Sequence, residues 1–478
     1  MHATIGRLHG GGLMLRARIF LAAVLSTVGV AMLGIACGSN GNGSGFDTGG
    51  GDGGAGGDGS LGNCNSGFCS DVDGGAQCIG LQCEKIVCAG GGTTTISGQV
   101  FDPMGLNPLY DVAVYVPSTM PLAALSNGVS CDQCGATLLN PAASGLTDED
   151  GKFTLTDVPV DKAIPVVIQV GKWRRTFTID VNPCTDNPMP APLTLPKNGT
   201  EGDMPQMAVA VNDYDALECL LYGMGVDEAE FVNGTASGGH IHEFSSGQNA
   251  TLWASESSLT PYDITLLDCE GGETPNNKSN AILQGMHDYA GIGGKIFATH
   301  YHYLWIKGTS SGITPAITAP SDFKGTANWN PNESAGAGGS GTFNVNTTFP
   351  KGASFATWLV NVGASSTSGR ITLKDYSDTV NSVNAPTISW ISNGSNTEYM
   401  SFNTPVGVDS SAQCGKVVFT DLHVTSSAVS SLNECQFQSN TSGDRSKGLT
   451  PQQKALEFLF FDLSSCVTND SNPPPPPR

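Results

Sequence analysis

The chain has 478 residues, a formal net charge of −21 and 14% charged side chains, with 62 glycines. That length predicts two or three domains. An acidic composition so poor in Lys and Arg excludes nucleic acid as a partner and a polybasic lipid-binding face, since both need clustered positive charge.

The N-terminus reads as an export signal. Arg7, Arg16 and Arg18 precede an apolar run, Ile19 to Leu33, that closes on Leu33-Gly34-Ile35-Ala36-Cys37. A basic segment, a short apolar stretch and small residues define a secretory signal. A bilayer span needs about 20 apolar residues, and this run is shorter. The cysteine at the cut resembles a bacterial lipobox, with Gly34 three places before it where the usual pattern has Leu. The resemblance makes residues 1–37 the signal segment and implies lipidation at Cys37. It implies a membrane-anchored protein of the cell envelope, periplasmic or at the cell surface, with the outer membrane favoured. Met14 offers an alternative start that would leave residues 1–13 untranslated.

Residues 38–63 are almost entirely Gly, Asp, Ser and Asn. They bury too little apolar area to offset ordering entropy, so a disordered tether is expected, with a reach of roughly 25–30 Å. One imperfect Gly/Asp repeat cannot stack into a calcium-binding solenoid.

Fourteen cysteines, less Cys37, leave an odd number, so one thiol is expected to be free or buried. Cys64, Cys69, Cys78, Cys83 and Cys88 crowd the segment 64–92, which reads as a disulfide-stapled knot. Their spacings of four and eight residues disfavour zinc. For Cys131-Asp132-Gln133-Cys134 the expectation is a local, loop-closing disulfide.

From Thr93 the chain predicts short strands at Thr95–Val100, Val112–Val116, Ile164–Val170 and Arg175–Ile179, with a hairpin over Thr147–Leu155 turning at Asp150-Gly151. This pattern predicts an all-β sandwich over 93–200. The set S-G-x-V-x-D-P, V-x-V-Y-V and T-D-x-x-G-x-F resembles the carboxypeptidase regulatory-like domain, a transthyretin-like sandwich with a non-catalytic accessory role. The insertion Pro117 to Ala143 departs from it. Trp173-Arg174-Arg175 reads either as a binding patch or as a strand edge with a half-buried Trp, the second favoured.

Residues 201–468 predict an α/β domain with a parallel sheet covered on both faces. Continuous apolar strands fall at Met207–Val211, Tyr262–Asp268, Gly294–Thr299 and Gly415–Asp421. Helices are expected at Asp215–Leu221, Ile282–Tyr289 and Phe355–Val362, and a last one is capped by Thr450 with Pro451 at its first position. The runs Y-D-I-T-L-L-D-C-E, G-G-K-I-F-A-T-H-Y-H-Y and C-G-K-V-V-F-T-D-L-H-V resemble the class I glutamine amidotransferase-like domain, in its trehalose-utilisation-like branch. That family is flavodoxin-like, and a β-rich insertion at about 310–410 interrupts the resemblance. The family's nucleophilic Cys belongs at a sharp turn after a strand. Thr299-His300-Tyr301-His302 stands at that place, which argues against glutamine hydrolysis. A Pro-rich tail, 469–478, closes the chain.

Open parallel sheets bind ligands beyond the carboxyl ends of their strands. The polar residues there are Asp268 and Glu270, His300 and His302, and Asp421 and His423, with His240 and His242 on a loop as a further pair. Five of the chain's eight histidines fall in this set, and His300 and His302, two apart, are expected to point to one face and share an ion. The cluster is therefore a candidate ligand or divalent-metal site, or a purely structural set of caps. Tyr303 could stack on a sugar ring, and Trp305 could too, although core packing is favoured for Trp305. The leading functional reading is binding of a glycan or envelope protein without turnover. The rival is a metal- or His-dependent hydrolase acting on carbohydrate, and a structural envelope component is the third.

Overall fold

Alternating burial builds the first module. In the computed structural model residues 78–475 are described, apart from 135–139, 333–337 and Ser426. The signal segment, Cys37, the tether, Cys64, Cys69, part of the Gly/Ser loop and the last prolines lie outside the described residues. Eight strands follow: β1 (Thr95–Phe101), β2 (Ala113–Val116), β3 (Ala143–Leu146), β4 (Lys152–Thr156), β5 (Ile164–Val170), β6 (Trp173–Ile179), β7 (Asp186–Pro188) and β8 (Leu193–Thr194). They make one sheet ordered β4-β1-β7, with β8 also on β1, and a second ordered β3-β2-β5-β6. β4 alternates exposed and buried as a half-covered strand should, whereas all seven residues of β5 are buried.

The turn at Asp150-Gly151 forms as expected, with Gly151 at φ +72°. Its flanking strands are not a hairpin. β3 pairs with β2 and β4 with β1, so the chain crosses here from one sheet to the other.

The second module adds β9 (Met207–Ala210), β10 (Phe231–Asn233), β11 (Ile241–Phe244), β12 (Ile264–Leu267), β13 (Lys295–Thr299), β14 (Ala327–Trp329), β15 (Gly339–Val345), β16 (Arg370–Tyr376), β17 (Val380–Val383), β18 (Ile388–Ser392), β19 (Thr397–Thr404) and β20 (Gly415–Thr420). Six of these run parallel in the order β10-β11-β9-β12-β13-β20. The insertion does not stand apart. β19 pairs antiparallel with β20 from Tyr399 to Thr404, all eight of its residues are buried, and β18, β15 and β16 continue the same sheet. The main helices are α1 (Leu217–Gly223), α2 (Asn280–Gly291), α3 (Pro350–Asn361) and α4 (Pro451–Ser464). α4 begins with a capping box: the Thr450 hydroxyl accepts from the Gln453 amide while Gln453 Oε1 accepts from the Thr450 amide.

One hydrophobic core runs from the sandwich into the α/β module. Tyr110 stacks on Phe458 at 5.8 Å, Trp173 meets Phe461 edge-on at 6.2 Å, and Trp358 Nε1 donates to the Pro108 carbonyl at 2.6 Å. Trp173 is fully buried, Arg174 pairs with Asp203 and Arg175 with Glu201. This triplet is a packed junction and not a binding patch.

Disulfides follow the same junction. Cys78–Cys83 is local, Cys88–Cys184 ties the entry of the sandwich to its end, and Cys219–Cys435 anchors α1. The expected loop between Cys131 and Cys134 does not form. Cys131 bonds Cys414 and Cys134 bonds Cys466, so both cysteines of the sandwich insertion clamp the α/β module. Five disulfides among the described residues point to an oxidising, extracytoplasmic compartment. No helix among the described residues is long and apolar enough to cross a membrane.

Candidate functional site

Strand order decides which polar residues meet. β12, β13 and β20 are neighbours, with Leu267 opposite Ala298 and Thr299 opposite Thr420, so their carboxyl ends finish side by side. The residues just beyond them are Cys269, His300 and His423. Their ligating atoms all lie within 4.8 Å of one another. His300 Nδ1 is 3.5 Å from Cys269 Sγ, the Gly271 amide donates to that sulfur at 3.4 Å, and the two imidazole rings cross edge-to-face at 5.5 Å. Cys269 and His300 are buried and His423 is half-buried.

His300 sits at a strained turn. It takes φ +34° directly after β13, and a 3₁₀ turn (His300–Tyr303) and a helical turn (Leu304–Lys307) follow. A positive φ costs a non-glycine residue roughly 1–2 kcal/mol, and such outliers gather at functional sites.

The same 3₁₀ turn overturns the expectation that His300 and His302 share an ion. Side chains two apart align on an extended strand, but the strand ends at Thr299. His302 is fully buried with both ring nitrogens committed: Nε2 donates to the Asp268 carbonyl at 2.7 Å and Nδ1 accepts from Trp305 Nε1 at 2.9 Å. Burial pushes its pKa down to about 4, so it is a neutral packing residue. Trp305 and Tyr303 are buried too, and neither presents a face for a sugar.

The carboxylates also separate from the cluster. Glu270 pairs with buried Lys278 at 2.8 Å, and Lys278 lies over Trp253 at 4.9 Å and Trp305 at 5.5 Å. Burial pushes the Glu270 carboxyl up, but the His302 and Lys278 charges outweigh it and hold the group below its usual range. With His302 neutral, Lys278 is the partner that counts. Asp268 is fully buried and accepts from the Leu217 amide, its carboxyl raised by burial and by Glu218 and Asp215. Asp421 accepts from the Thr379 amide at 2.7 Å and hydroxyl at 2.6 Å, fastening the insertion to the end of β20. His240 pairs with Glu230, and His242 contacts the Gly234 carbonyl from within β11, a strand where a loop was expected.

Sequence reasoning missed Cys269. Its only signals there were an odd cysteine count and a Cys between Asp268 and Glu270; the structure shows that Cys269 is the free cysteine among the described residues. Burial pushes its thiol up to about 12, so it is protonated at neutral pH and hidden from solvent.

Two outside comparisons find nothing. No family model matches the chain, and no curated protein does. Solved structures give faint likenesses. A cytoplasmic protein from Salmonella typhimurium is 12% identical with a TM-score of 0.29, covering 54% of this chain and 98% of its own. A type II cohesin-X-dockerin complex chain from Acetivibrio cellulolyticus is 16% identical with a TM-score of 0.15, covering 30% and 76%.

Glu398 on β19 gives the region a pH signature. It is buried, and burial, followed by the charges of Asp421 and Asp378 and a hydrogen bond to Asp378, pushes it up to about 10. A carboxyl raised on folding binds its proton more tightly in the native state. Its stabilising effect is complete below the unfolded value near 4 and is lost as pH rises through the folded value. The melting temperature should therefore fall between pH 5 and pH 10, and Glu398→Gln should flatten that fall by several degrees. A melting temperature that climbs across this range contradicts the assignment.

Proposed function

We infer that this chain is an exported, lipid-anchored binding protein of the cell envelope, tethered at Cys37 and carrying a glycan or envelope-protein ligand at the ends of β12, β13 and β20. The sandwich is read as a carboxypeptidase regulatory-like, transthyretin-like accessory module. The parallel sheet is read as a flavodoxin-like, amidotransferase-like domain whose hydrolytic chemistry has been lost. One observation carries this reading: His300 occupies the strained turn where the resemblance calls for a nucleophilic cysteine. The nearby thiol, Cys269, stands on the neighbouring strand end, 1% exposed and held protonated by burial. A nucleophile needs the thiolate and room for the substrate.

The test pairs binding with turnover. The full chain, exported and purified in detergent, should capture a glycan or an envelope polypeptide, and His423→Ala should abolish that capture. It should release no ammonia from glutamine and cleave no chromogenic glycoside above the buffer rate. Glycoside or glutamine hydrolysis that disappears in His423→Ala would overturn the reading in favour of a hydrolase.

A further inference from the structure

We propose that Cys269, His300 and His423 form a three-ligand centre for a zinc-class divalent transition metal, with Asp215 as its buried carboxyl neighbour. The proposal rests on the reading of these strand ends as a binding site, and it names what the site holds. Four observations support it.

The first is convergence. Three ligating atoms of three different strand ends lie within 4.8 Å of one another. Metal–ligand bonds of about 2.0–2.3 Å set the edge of a tetrahedral site at roughly 3.3–3.8 Å. The Cys269–His300 pair, at 3.5 Å, already falls within that range.

The second is preparation of the ligands. His423 Nδ1 is 2.8 Å from the Asp375 carbonyl, which only accepts, so Nδ1 carries the proton and Nε2 carries the lone pair. Orienting an imidazole through its far nitrogen is the usual outer support of a metal-bound histidine. Cys269 Sγ receives the Gly271 amide at 3.4 Å. His302 makes the contrast, since both of its nitrogens are committed.

The third is a buried carboxyl. Asp215 is fully buried and is fastened to Val424, the residue that follows His423. Its Oδ1 accepts from the Ala216 and Val424 amides, while Oδ2 has no partner. A divalent ion bound by the Cys269 sulfur displaces its proton to solvent.

The fourth is donor chemistry. One sulfur and two imidazoles select a borderline or soft ion and reject calcium and magnesium, which take oxygen ligands. Three protein ligands leave a fourth position open for an exogenous group. His423, the most exposed of the three, marks the side from which that group enters.

The experiment titrates the full, disulfide-bonded chain, stripped with chelator, using cobalt(II) as the spectroscopic probe and zinc(II) as competitor. The expected result is about one equivalent of cobalt with a tetrahedral visible spectrum and a thiolate charge-transfer band, both displaced by zinc. Cys269→Ser should lose the thiolate band, and His423→Ala should bind no ion. Asp215→Asn should bind about 10–100-fold more weakly. His302→Gln should bind as the parent does. Because Cys269 is buried, folding of each variant is checked by circular dichroism, and half-buried His423 supplies the variant least prone to misfold.

Absence of stoichiometric cobalt or zinc binding overturns the proposal, as does binding that survives in folded His423→Ala. Ligand capture lost in His423→Ala without any metal leaves the binding reading standing and removes the metal. Metal binding accompanied by hydrolysis keeps the metal and removes the reading of binding without turnover.

Discussion

The Cys134→Ala/Cys466→Ala double variant is expected to unfold with about 2–4 kcal/mol less stability than the parent chain, measured by urea or thermal denaturation under non-reducing conditions. The bond spans 332 residues, and its neighbour Cys131–Cys414 spans 283 between the same two regions. With the neighbour intact, the loop that the second bond still closes is roughly 50 residues long, enough to constrain the unfolded chain substantially. Removing both cysteines of the pair avoids a free thiol that could reshuffle. Losing both pairs should cost more than either alone, because either bond by itself still closes a loop of 283 or 332 residues. An unchanged midpoint in the double variant would contradict the clamp between sandwich insertion and α/β module.

A second large effect is expected from Asp462→Asn, at about 3–5 kcal/mol. Asp462 on α4 accepts from Lys351 of α3 at 2.6 Å and from Lys416 of β20 at 2.8 Å, and Asp470 contacts the same two lysines at 3.2 and 3.0 Å. All four side chains are almost wholly buried. Two ammonium groups and two carboxylates balance; removing one carboxylate leaves a positive charge without an equal partner in the core. Burial alone would raise the Asp462 carboxyl, but the Lys351 and Lys416 charges outweigh it and depress the group below the usual carboxylate range. The sign for a depressed carboxyl is opposite to that of Glu398. Its contribution is present above the unfolded value near 3.9 and is lost as pH falls through the folded value. The parent chain should therefore lose stability below about pH 4, and Asp462→Asn should show a shallower acid limb. A melting profile identical to the parent's at both neutral and acid pH would rule out the network as a source of stability.

What was legible in the sequence is what local chemistry decides. The apolar runs Met207–Val211, Gly294–Thr299 and Gly415–Asp421 could be read as buried parallel strands because their side chains are covered on both faces. Thr450-Pro451 could be read as a helix start because cap and first-turn preferences are local. Pairings across hundreds of residues leave no local trace. Cys131 and Cys134 suggested a loop, yet each found a partner brought close only by docking of the sandwich. β19 showed apolar character, but nothing in it announced that it would extend the parallel sheet by pairing antiparallel with β20.

The site divides in the same way. The rule that ligands gather at strand ends put His300 and His423 among the candidates, and the fold brings these two together. His302 was misassigned because an i, i+2 argument holds only while the backbone stays extended, and a 3₁₀ turn begins at His300. Asp268, Glu270 and Asp421 were candidates by composition, and the fold commits each of them to a neighbour. Cys269 needed the strand order β12-β13-β20 before its position beside two histidines could be seen.

The most direct test of the account is anomalous diffraction at the zinc edge from crystals of the full chain grown with zinc. The account predicts a peak within about 2.0–2.3 Å of Cys269 Sγ, a ring nitrogen of His300 and Nε2 of His423. A map without that peak, or an ion held instead by His302 and Glu270, would contradict the assignment of this strand-end cluster as the functional centre.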